Sequence, residues 1–429
     1  MHPIARAKSW TYRSRKLDFN GKHLLSNSHF ITSSNMAMTQ QATDQAMILP
    51  GSRLGIFGGG QLGRMFAHAA QRLGYSVVVF TPDQGSPASQ VANETILSDY
   101  EDPKAVRKFA ESVDVISLEF ENIPLDAVAR AAEVTPVRPG LHVLEVAQHR
   151  IREKTTLQNF GFAVTPFVAV ESMDQLQNAS DQLGFPMVLK TALWGYDGKG
   201  QRKVNSMKEA IAAFELLGPS AVIAEKLIDF QAEVSILVAR SPRGEIAVYP
   251  MFYNEHSNHI LDVSMCPVPE QFAAIAIEAE SIARGVIESI DCVGLLCIEF
   301  FISKSNQLMI NELAPRPHNS GHLTMEACRT GQFEQQVRAV CNLPLGDTRL
   351  IQPAAMANLL GDVWAVGHPR YESAFAAPNT FLHLYGKDDA RMGRKMGHLT
   401  CLADSSIEAA VQSRSIRESM RAFGNRLFD

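Results

Sequence analysis

The order of apolar segments between residues 53 and 120 constrains the fold more than any other feature of this chain. The pattern predicts strands at Leu54–Phe57, Val77–Phe80 and Val115–Phe120, with helices at Leu62–Leu73 and Pro103–Ser112 between them. Strands that alternate with helices in this way form a parallel sheet. The sequence therefore predicts an α/β domain at the front of the chain.

The first turn of this domain is rich in glycine. Residues 58–63 read Gly-Gly-Gly-Gln-Leu-Gly, which has the spacing of a dinucleotide-binding turn, where glycines let a phosphate approach a helix N-terminus. An acidic residue should follow the second strand to hold a ribose hydroxyl, but that strand ends in Thr81-Pro82 before Asp83. A nicotinamide-dependent dehydrogenase therefore remains only an alternative that this weak motif supports.

Length and composition limit the remaining possibilities. A chain of 429 residues is long enough for two or three domains, and a net charge of −5 argues against broad binding to nucleic acid. No apolar run approaches the length that spans a membrane. The six cysteines form no Cys-x-x-Cys pair, and several lie in apolar runs, as buried free thiols do. These features predict a reducing, cytoplasmic setting.

Residues 1–48 differ in composition from the rest of the chain. They are basic and rich in Ser and Asn, with little acid before Asp44. This composition is typical of a transit peptide. An over-extended start is an equally good interpretation, because Met36, Met38 and Met47 all precede the first strand. We expect a disordered or artefactual extension and assign it no function.

A second glycine-rich loop follows a strand that ends in Lys190. Gly195, Gly198 and Gly200 predict a flap, residues 195–201, that could cover a polyphosphate with backbone amides. No Gly-Lys-Ser/Thr opens a helix here, so this is not a Walker loop. Lys190 could hold phosphate oxygens as a point charge. The alternative is a simple glycine hairpin with surface lysines.

Two features further along fit the rest of a nucleotide. A short strand at residues 221–224 ends at residues 225–228, an edge that could hold an adenine through its main-chain groups. Glu233 on the next strand could accept hydrogen bonds from ribose hydroxyls. Neither feature is specific by itself.

A predicted hairpin brings two glutamates together. Residues 295–303 and 308–313 are apolar runs around a polar turn, and a turn centred between Ser305 and Asn306 pairs Glu299 with Glu312. Adjacent carboxylates repel each other, and a divalent cation between them removes that cost. Such hard oxygen ligands suit Mg²⁺, which fills its other positions with water and nucleotide phosphates. The alternative is a solvated sheet face with scattered acids.

These pieces in this order resemble the ATP-grasp superfamily, and within it the 5-(carboxyamino)imidazole ribonucleotide synthases. The resemblance runs from about Arg53 to the C-terminus. It rests on the following segments: Gly-Gly-Gly-Gln-Leu-Gly-Arg at 58–64, Glu-Phe-Glu-Asn-Ile-Pro at 119–124, Gly-Tyr-Asp-Gly-Lys-Gly-Gln at 195–201, Asn-Glu-His at 254–256, Asn-Glu-Leu-Ala-Pro-Arg-Pro-His-Asn-Ser-Gly-His at 311–322 and Gly-Arg-Lys-Met-Gly-His at 393–398. The last two separate this family from other ATP-grasp ligases, and the basic N-terminal extension is the main departure.

The resemblance implies a domain plan. After the extension, residues 49–148 form a Rossmann-like pre-ATP-grasp domain and residues 149–350 the ATP-grasp domain. A small β-rich C-terminal domain, residues 351–429, completes the substrate site. The fold class is thus α/β and α+β.

The resemblance also implies the site residues. ATP contacts are implied for Arg150, Lys190, Gly195, Tyr196, Asp197, Gly198, Lys199, Gly200, Gln201, Glu225, Lys226, Leu227, Ile228, Glu233, His256, Asn311 and Glu312. Substrate contacts are implied for Glu121, Tyr196, Asp197, Arg316, His318, Asn319, Lys387, Arg394 and Lys395. Glu299 and Glu312 are implied to hold Mg²⁺, or Mn²⁺ in its place. Strand alternation leaves open whether Glu119 or Glu121 reaches the substrate.

The implied reaction is the ATP-dependent carboxylation of 5-aminoimidazole ribonucleotide by bicarbonate, through carboxyphosphate, in purine biosynthesis. Catalytic roles are implied for Asp197, Lys190, Arg316, Lys387 and Arg394. The basic residues near 387–395 suit a ribose phosphate, although a solvated basic hairpin is the alternative. A homodimer and a separate mutase as the next enzyme are also implied. Two other classes stay open: a different ATP-grasp ligase, and a nucleotide-binding protein without activity.

Overall fold

The computed structural model describes residues 46–193, 200–218 and 221–421. Strands β1 to β17 are Arg53–Phe57, Ser76–Thr81, Glu94–Leu97, Val115–Leu118, Phe167–Val170, Met187–Thr191, Gln201–Val204, Val222–Lys226, Phe230–Arg240, Ile246–Val248, Phe252–Ser257, Ile260–Cys266, Gly294–Ser303, Leu308–Ala314, Ala354–Leu360, Thr380–Leu384 and Lys395–Leu402. Helices α1 to α12 are Gln61–Arg72, Pro103–Glu111, Leu125–Ala132, Leu141–Ala147, Arg150–Asn159, Met173–Leu183, Met207–Leu217, Ala273–Ser289, Thr324–Ala327, Gln332–Val340, Glu372–Phe375 and Ser406–Met420. Short 3₁₀ turns lie at Glu270–Phe272, Asn319–Gly321 and Gly361–Trp364.

The front of the chain forms the predicted parallel sheet. Its strand order is β3-β2-β1-β4, and each neighbouring pair is parallel. The strands predicted within 54–57, 77–80 and 115–120 are confirmed as β1, β2 and β4. The sequence pattern missed β3, because three of its four residues are exposed and lack the apolar signature of a buried strand.

A second sheet carries Lys190. It is antiparallel with the order β5-β8-β6-β7, and Lys190 on β6 pairs with Gln201 on β7. The predicted flap residues 195–199 lie outside the described residues. Gly200 and Gln201 are described, and Thr191 N donates to Gly200 O at 2.9 Å, so the strands on the two sides of the glycine-rich segment are paired.

The third sheet is the largest and has nine strands. Its path is β14-β13-β9-β11-β12-β15-β17-β16, with β10 also paired to β9. Alternate residues of β9, Val234, Ile236 and Val238, enter one hydrophobic core, whereas Leu237 enters the core on the opposite face. Strand β9 therefore packs apolar side chains against cores on both faces of the sheet.

Strands from both sides of residue 350 share this sheet. β12 pairs with β15, and β15 pairs with β17, so the C-terminal strands continue the sheet that also contains Glu299 and Glu312. The polar residues at the ends of these strands are therefore held in one rigid frame.

The prediction that Glu299 pairs with Glu312 is confirmed, although the centre of the turn differs from the predicted one. Near the turn, Phe300 pairs with Ile310, which centres the turn on Ser305 rather than after it. The register then shifts between Glu299 and Phe300, so that Glu299 faces Glu312.

Two predictions about the whole chain bear on this fold. All six cysteines are free and buried, as their apolar neighbours indicated. Within residues 46–193, 200–218 and 221–421, no helix combines the length and apolar character needed to cross a membrane.

Candidate active site

A cavity of about 1120 Å³ lies between side chains of the second and third sheets and residues of the front domain at 61–62 and 119–121. Its volume is above the range typical of pockets for one small molecule. The predicted site residues that line it are Glu121, Arg150, Lys190, Gln201, Glu225, Lys226, Leu227, Ile228, Glu233, His256, Glu299, Asn311, Glu312, Arg316, His318, Asn319 and Lys395. The structure therefore brings most of the predicted site together in one place.

Lys190 lies in a buried cluster of charges. Its Nζ contacts Glu225 Oε2 at 2.7 Å, and Lys154 Nζ lies 3.5 Å from Glu225 Oε1. Burial opposes ionisation of Glu225, but the ammonium groups of Lys190 and Lys154 outweigh it and lower the pKa of Glu225 to about 2. The strand ends at 190 and 225 are thus tied together by a buried ionic cluster, which fixes the position of the Lys190 ammonium group.

Glu299 and Glu312 are each held by a cation. His318 Nε2 lies 3.0 Å from Glu299 Oε1, and Arg150 donates to Glu312 at 2.9 Å. Burial opposes ionisation of Glu299, but the hydrogen bond and charge of His318 lower the pKa of Glu299 to about 2. In return Cys297 and Glu299 overcome the effect of burial and raise the pKa of His318 to about 10. A carboxylate this acidic is available to a cation at neutral pH.

The donor set beside these carboxylates fits Mg²⁺. Among the described residues there is no cluster of three or more His, Cys, Asp or Glu that could hold a metal by itself. Mg²⁺ needs fewer, because it commonly takes one or two carboxylates and completes its shell with water and phosphate oxygens. Asn311 Oδ1, next to Glu312, is buried and has no hydrogen-bond partner among the described residues, so it is an unsatisfied oxygen at the same place.

One end of the cavity has the features of a nucleoside site. Glu233 Oε2 contacts His256 Nδ1, and both side chains remain about one-quarter exposed. Burial opposes protonation of His256, but the hydrogen bond and charge of Glu233 raise its pKa. Nearby, Phe230 and Phe301 stack with ring centroids 4.7 Å apart and line the same cavity.

The other end joins the front sheet to the largest sheet. Arg316 forms an ion pair with Glu121 through two guanidinium nitrogens. Burial alone would raise the pKa of Glu121, but the charge and hydrogen bonds of Arg316 outweigh burial and lower it. Asn319 exchanges hydrogen bonds with Asn358 at 3.0 and 2.7 Å. Lys395 lines the same end.

Of the predicted site residues that the structure describes, three do not line the cavity. Gly200 lies at the edge of β7. Lys387 and Arg394 lie on the connection between β16 and β17, the predicted basic hairpin. Lys387 donates to Lys395 O at 2.8 Å and its charge acts on Glu119, whereas Arg394 donates to Asp389 O at 2.8 Å. The hairpin prediction is confirmed, and the substrate contacts of these residues stay predictions.

Three family models match consecutive parts of the chain. They are a ribonucleotide synthetase preATP-grasp domain at residues 52–148, an ATP-grasp domain at 155–333 and a phosphoribosylaminoimidazole carboxylase C-terminal domain at 354–412. The chain is also 42% identical to an N5-carboxyaminoimidazole ribonucleotide synthase of Bacillus subtilis, over 84% of this chain and 94% of that protein. The chain belongs to the N5-carboxyaminoimidazole ribonucleotide synthase family.

Other comparisons agree with this family. A synthase of Brucella melitensis is 41% identical over 85% of this chain and 100% of its own length. A Staphylococcus aureus synthetase solved with ADP has a TM-score of 0.82 and 37% identity, covering 87% of this chain and 99% of that one. A synthase from Aspergillus clavatus, solved with ADP and 5-aminoimidazole ribonucleotide, has a TM-score of 0.78 and 29% identity, covering 86% and 98%.

The predicted fold and enzyme class are confirmed by these matches. Members of the N5-carboxyaminoimidazole ribonucleotide synthase family are ATP-grasp ligases that carboxylate 5-aminoimidazole ribonucleotide in purine biosynthesis, and this chain is one of them. The alternatives of a different ATP-grasp ligase and of an inactive nucleotide-binding protein are thereby set aside.

The glycine turn of this synthase is not arranged for a dinucleotide. Glu119 accepts hydrogen bonds from the backbone amides of Gly60 and Gly63, the latter at 2.8 Å, at the N-terminus of α1. Burial raises the pKa of Glu119 in spite of these bonds. A carboxylate therefore occupies the position where a dinucleotide would place its phosphates, which argues against the dehydrogenase alternative.

Sequence reasoning missed Glu153 and Lys154, which lie beneath the cavity on α5. Both are almost completely buried, with 2% and 1% of their surfaces exposed. A signal was available, because Arg150, Glu153 and Lys154 stand at positions i, i+3 and i+4 and so share one face of a helix. Burial and the charge of Glu312 raise the pKa of Glu153 to about 8.

Proposed function

We propose that this chain carboxylates the amine of 5-aminoimidazole ribonucleotide with bicarbonate, through carboxyphosphate, with the residues of the cavity in the roles given below. The observation that carries the proposal is the direct pairing of Glu299 with Glu312 in a cavity that also contains Lys190. Two acids and a lysine around one space large enough for two substrates suit phosphoryl transfer between oxygens.

The nucleotide is proposed to bind along the strand ends of the second sheet. Residues 225–228 border the cavity and present main-chain groups for adenine, while Glu233 and His256 lie near enough to each other to bind ribose hydroxyls together. Lys190 would hold phosphate oxygens, since its ion pair with Glu225 fixes the position of its ammonium group. Gln201 and the glycine-rich flap would cover the phosphates from above.

Glu299 and Glu312 are proposed to hold Mg²⁺, with Asn311 Oδ1 beside them. When bound, the metal would neutralise charge on the transferring phosphoryl group. Arg150 contacts the carboxylate of Glu312 and His318 contacts that of Glu299, so both side chains are oriented by a neighbouring cation. The positive charges of Arg150 and His318 thus lower the cost of placing two acids side by side.

The first chemical step is proposed to be attack by a bicarbonate oxygen on the γ-phosphorus of ATP. The bond from that phosphorus to the bridging oxygen breaks, ADP leaves, and carboxyphosphate remains. Arg316, paired with Glu121, would bind the bicarbonate or the carboxyphosphate anion. Because carboxyphosphate hydrolyses readily, the flap must exclude water before this step.

In the second step the substrate amine attacks the carboxyl carbon, either of carboxyphosphate or of carbon dioxide released from it. Phosphate leaves, and the amine gives up one proton. Asp197 is proposed to orient the amine or accept that proton. Lys387, Arg394, Lys395 and Asn319 are proposed to bind the ribose phosphate and the ring.

We further propose a cytoplasmic homodimer divided at residues 148 and 350 into the three domains given above. Six buried free thiols favour a reducing compartment. The separate downstream mutase stays a prediction.

The proposal is tested by following ADP, phosphate and carboxylated product with bicarbonate labelled with ¹⁸O. One ADP should form for each carboxylated ribonucleotide, and one labelled oxygen should appear in the phosphate, because that oxygen becomes bound to phosphorus. Product that forms without ATP, or phosphate that carries no label, would overturn the carboxyphosphate route. The reaction without 5-aminoimidazole ribonucleotide is the control that separates carboxylation from idle ATP hydrolysis.

A further inference from the structure

The two candidate metal ligands face each other only because β14 contains one extra residue. Near the turn, Phe300 pairs with Ile310. If this register continued, Glu299 would face Asn311, and Glu312 would project from the other side of the sheet. Asn311 is instead the unpaired residue of a β-bulge, and the shift places Glu312 opposite Glu299.

Strand β14 lies at the edge of its sheet, so one side of its backbone has no neighbouring strand in that sheet. A bulge here therefore needs hydrogen-bond partners from elsewhere in the fold. On the side of the bulge nearer the turn, main-chain groups of residues 163 and 165 are these partners. Ile310 N donates to Ala163 O at 2.9 Å, and Thr165 N donates to Ile310 O at 3.2 Å. These bonds end at Ile310, and the backbone around Glu312 needs other partners.

Two adjacent side chains of α5 supply those partners. Lys154 Nζ donates to Asn311 O at 2.9 Å, and Leu313 N donates to Glu153 Oε2 at 3.0 Å. Helix α5 therefore hydrogen-bonds to the backbone on both sides of Glu312, with Lys154 as the donor and Glu153 as the acceptor. In this short segment the two side chains take the place of a neighbouring strand.

Glu153 and Lys154 are both almost completely buried. Removing a carboxylate or an ammonium group from water is unfavourable unless hydrogen bonds compensate. Lys154 also donates to Thr165 Oγ1 at 2.6 Å and lies 3.5 Å from Glu225. Glu153 has a narrower role: among the described residues its Oε2 accepts only from Leu313 N, and its Oε1 accepts from none.

We propose that Glu153 and Lys154 are positioning residues that hold the bulge at Asn311 and thereby keep Glu312 opposite Glu299. This inference rests on the proposed metal role of the two glutamates and adds the device that aligns them. Neither residue needs to touch metal, nucleotide or ribonucleotide. Their loss should weaken metal binding selectively, because residues that orient metal ligands commonly affect metal affinity.

Glu153 is the better probe, because Lys154 is also tied to Glu225. We would titrate Mn²⁺ into the full chain with saturating ADP and follow free Mn²⁺ by electron paramagnetic resonance. Glu153→Leu removes the acceptor and should weaken Mn²⁺ binding by about 10–100-fold. Glu153→Gln keeps an acceptor oxygen at the same distance and should restore affinity to within about threefold of the parent. The exposed Gln158→Leu on the same helix is the matched control and should not change it.

Leucine also alters the packing of α5, so a milder variant gives a second test. Glu153→Asp keeps a carboxyl group but draws the acceptor back by one methylene, and it should bind Mn²⁺ more weakly than Glu153→Gln. Hydrogen exchange of the amide of Leu313 should likewise be faster in Glu153→Asp than in Glu153→Gln. ADP affinity in the presence of a chelator should be equal in all these variants, which a general loss of structure would not allow.

The outcomes separate this inference from the proposed function. If Glu312→Gln leaves Mn²⁺ affinity unchanged, the metal role of that glutamate is wrong. If Glu312→Gln weakens Mn²⁺ binding but Glu153→Leu does not, the metal role stands and the positioning role is wrong. Equal Mn²⁺ affinity of Glu153→Asp and Glu153→Gln would also overturn the positioning role.

Discussion

The charge of Glu225 should make the free energy of unfolding of this synthase depend on pH, and Glu225→Gln should remove that part of the dependence. Glu225 is 3% exposed and lies between Lys190 and Lys154. These lysines lower its pKa from 4.5 to about 2. Because the folded-state pKa is lowered, the carboxylate stabilises the fold fully above pH 4.5, and this stabilisation is lost as the pH falls towards 2.

The size of the effect follows from that pKa. One pKa unit corresponds to about 1.4 kcal/mol, so the ionised Glu225 contributes about 3 kcal/mol at neutral pH. Linkage predicts that about 2 kcal/mol of this contribution is lost by pH 3. Glu225→Gln cannot ionise, so its free energy of unfolding should fall less over the same interval.

Urea unfolding between pH 7 and pH 3, followed by tryptophan fluorescence, measures this difference. As the pH falls, the free energy of unfolding should decrease more for the parent than for Glu225→Gln. The values for the two proteins should converge near pH 3. Glu215→Gln, at an exposed position of α7, should behave as the parent does. Parallel curves for the parent and Glu225→Gln would refute the ionic cluster around Lys190.

Three further predictions concern other parts of the site. Arg394→Ala should weaken binding of the ribonucleotide by about 2–3 kcal/mol and leave the KM for ATP unchanged; equal loss of both would place Arg394 elsewhere. Asp197→Asn should abolish most carboxylated product while nucleotide titration shows little change, because asparagine tolerates the same turns; parallel loss of nucleotide binding would assign Asp197 to the phosphate-covering flap. Gly60→Ala would bring a Cβ within 2.6 Å of Glu119 Oε1 and should lower the free energy of unfolding by about 1–3 kcal/mol; unchanged urea unfolding would contradict the close contact.

The sequence was sufficient to predict which strands carry the site residues, but not which buried residues position them. Local patterns predict the parallel front sheet, the β6 strand that ends near Lys190 and the hairpin that carries Glu299 and Glu312. Each of these depends on residues close together in the chain. The bulge at Asn311 was beyond such reasoning, because a helix about 160 residues earlier in the chain stabilises it.

The ion pairs of the site show the same limit. Lys190 and Glu225 meet because β8 lies beside β6, and nothing in either strand predicts that order. Glu119 and Glu121 stand two residues apart and were equal candidates for the substrate. The structure separates their contacts, since Glu119 accepts from the glycine turn and Glu121 pairs with Arg316.

The central claim is that Glu299 and Glu312 together support metal-dependent phosphoryl transfer, and Glu312→Gln tests it most directly. Turnover should be measured as ADP release over a range of Mg²⁺ concentrations, with circular dichroism to confirm the fold and Glu278→Gln, an exposed position of α8, as the control. The substitution keeps the shape of the side chain and removes its charge, so turnover should fall by several orders of magnitude and should not recover at high Mg²⁺. A folded Glu312→Gln enzyme with near-parental turnover and an unchanged Mg²⁺ requirement would contradict the account.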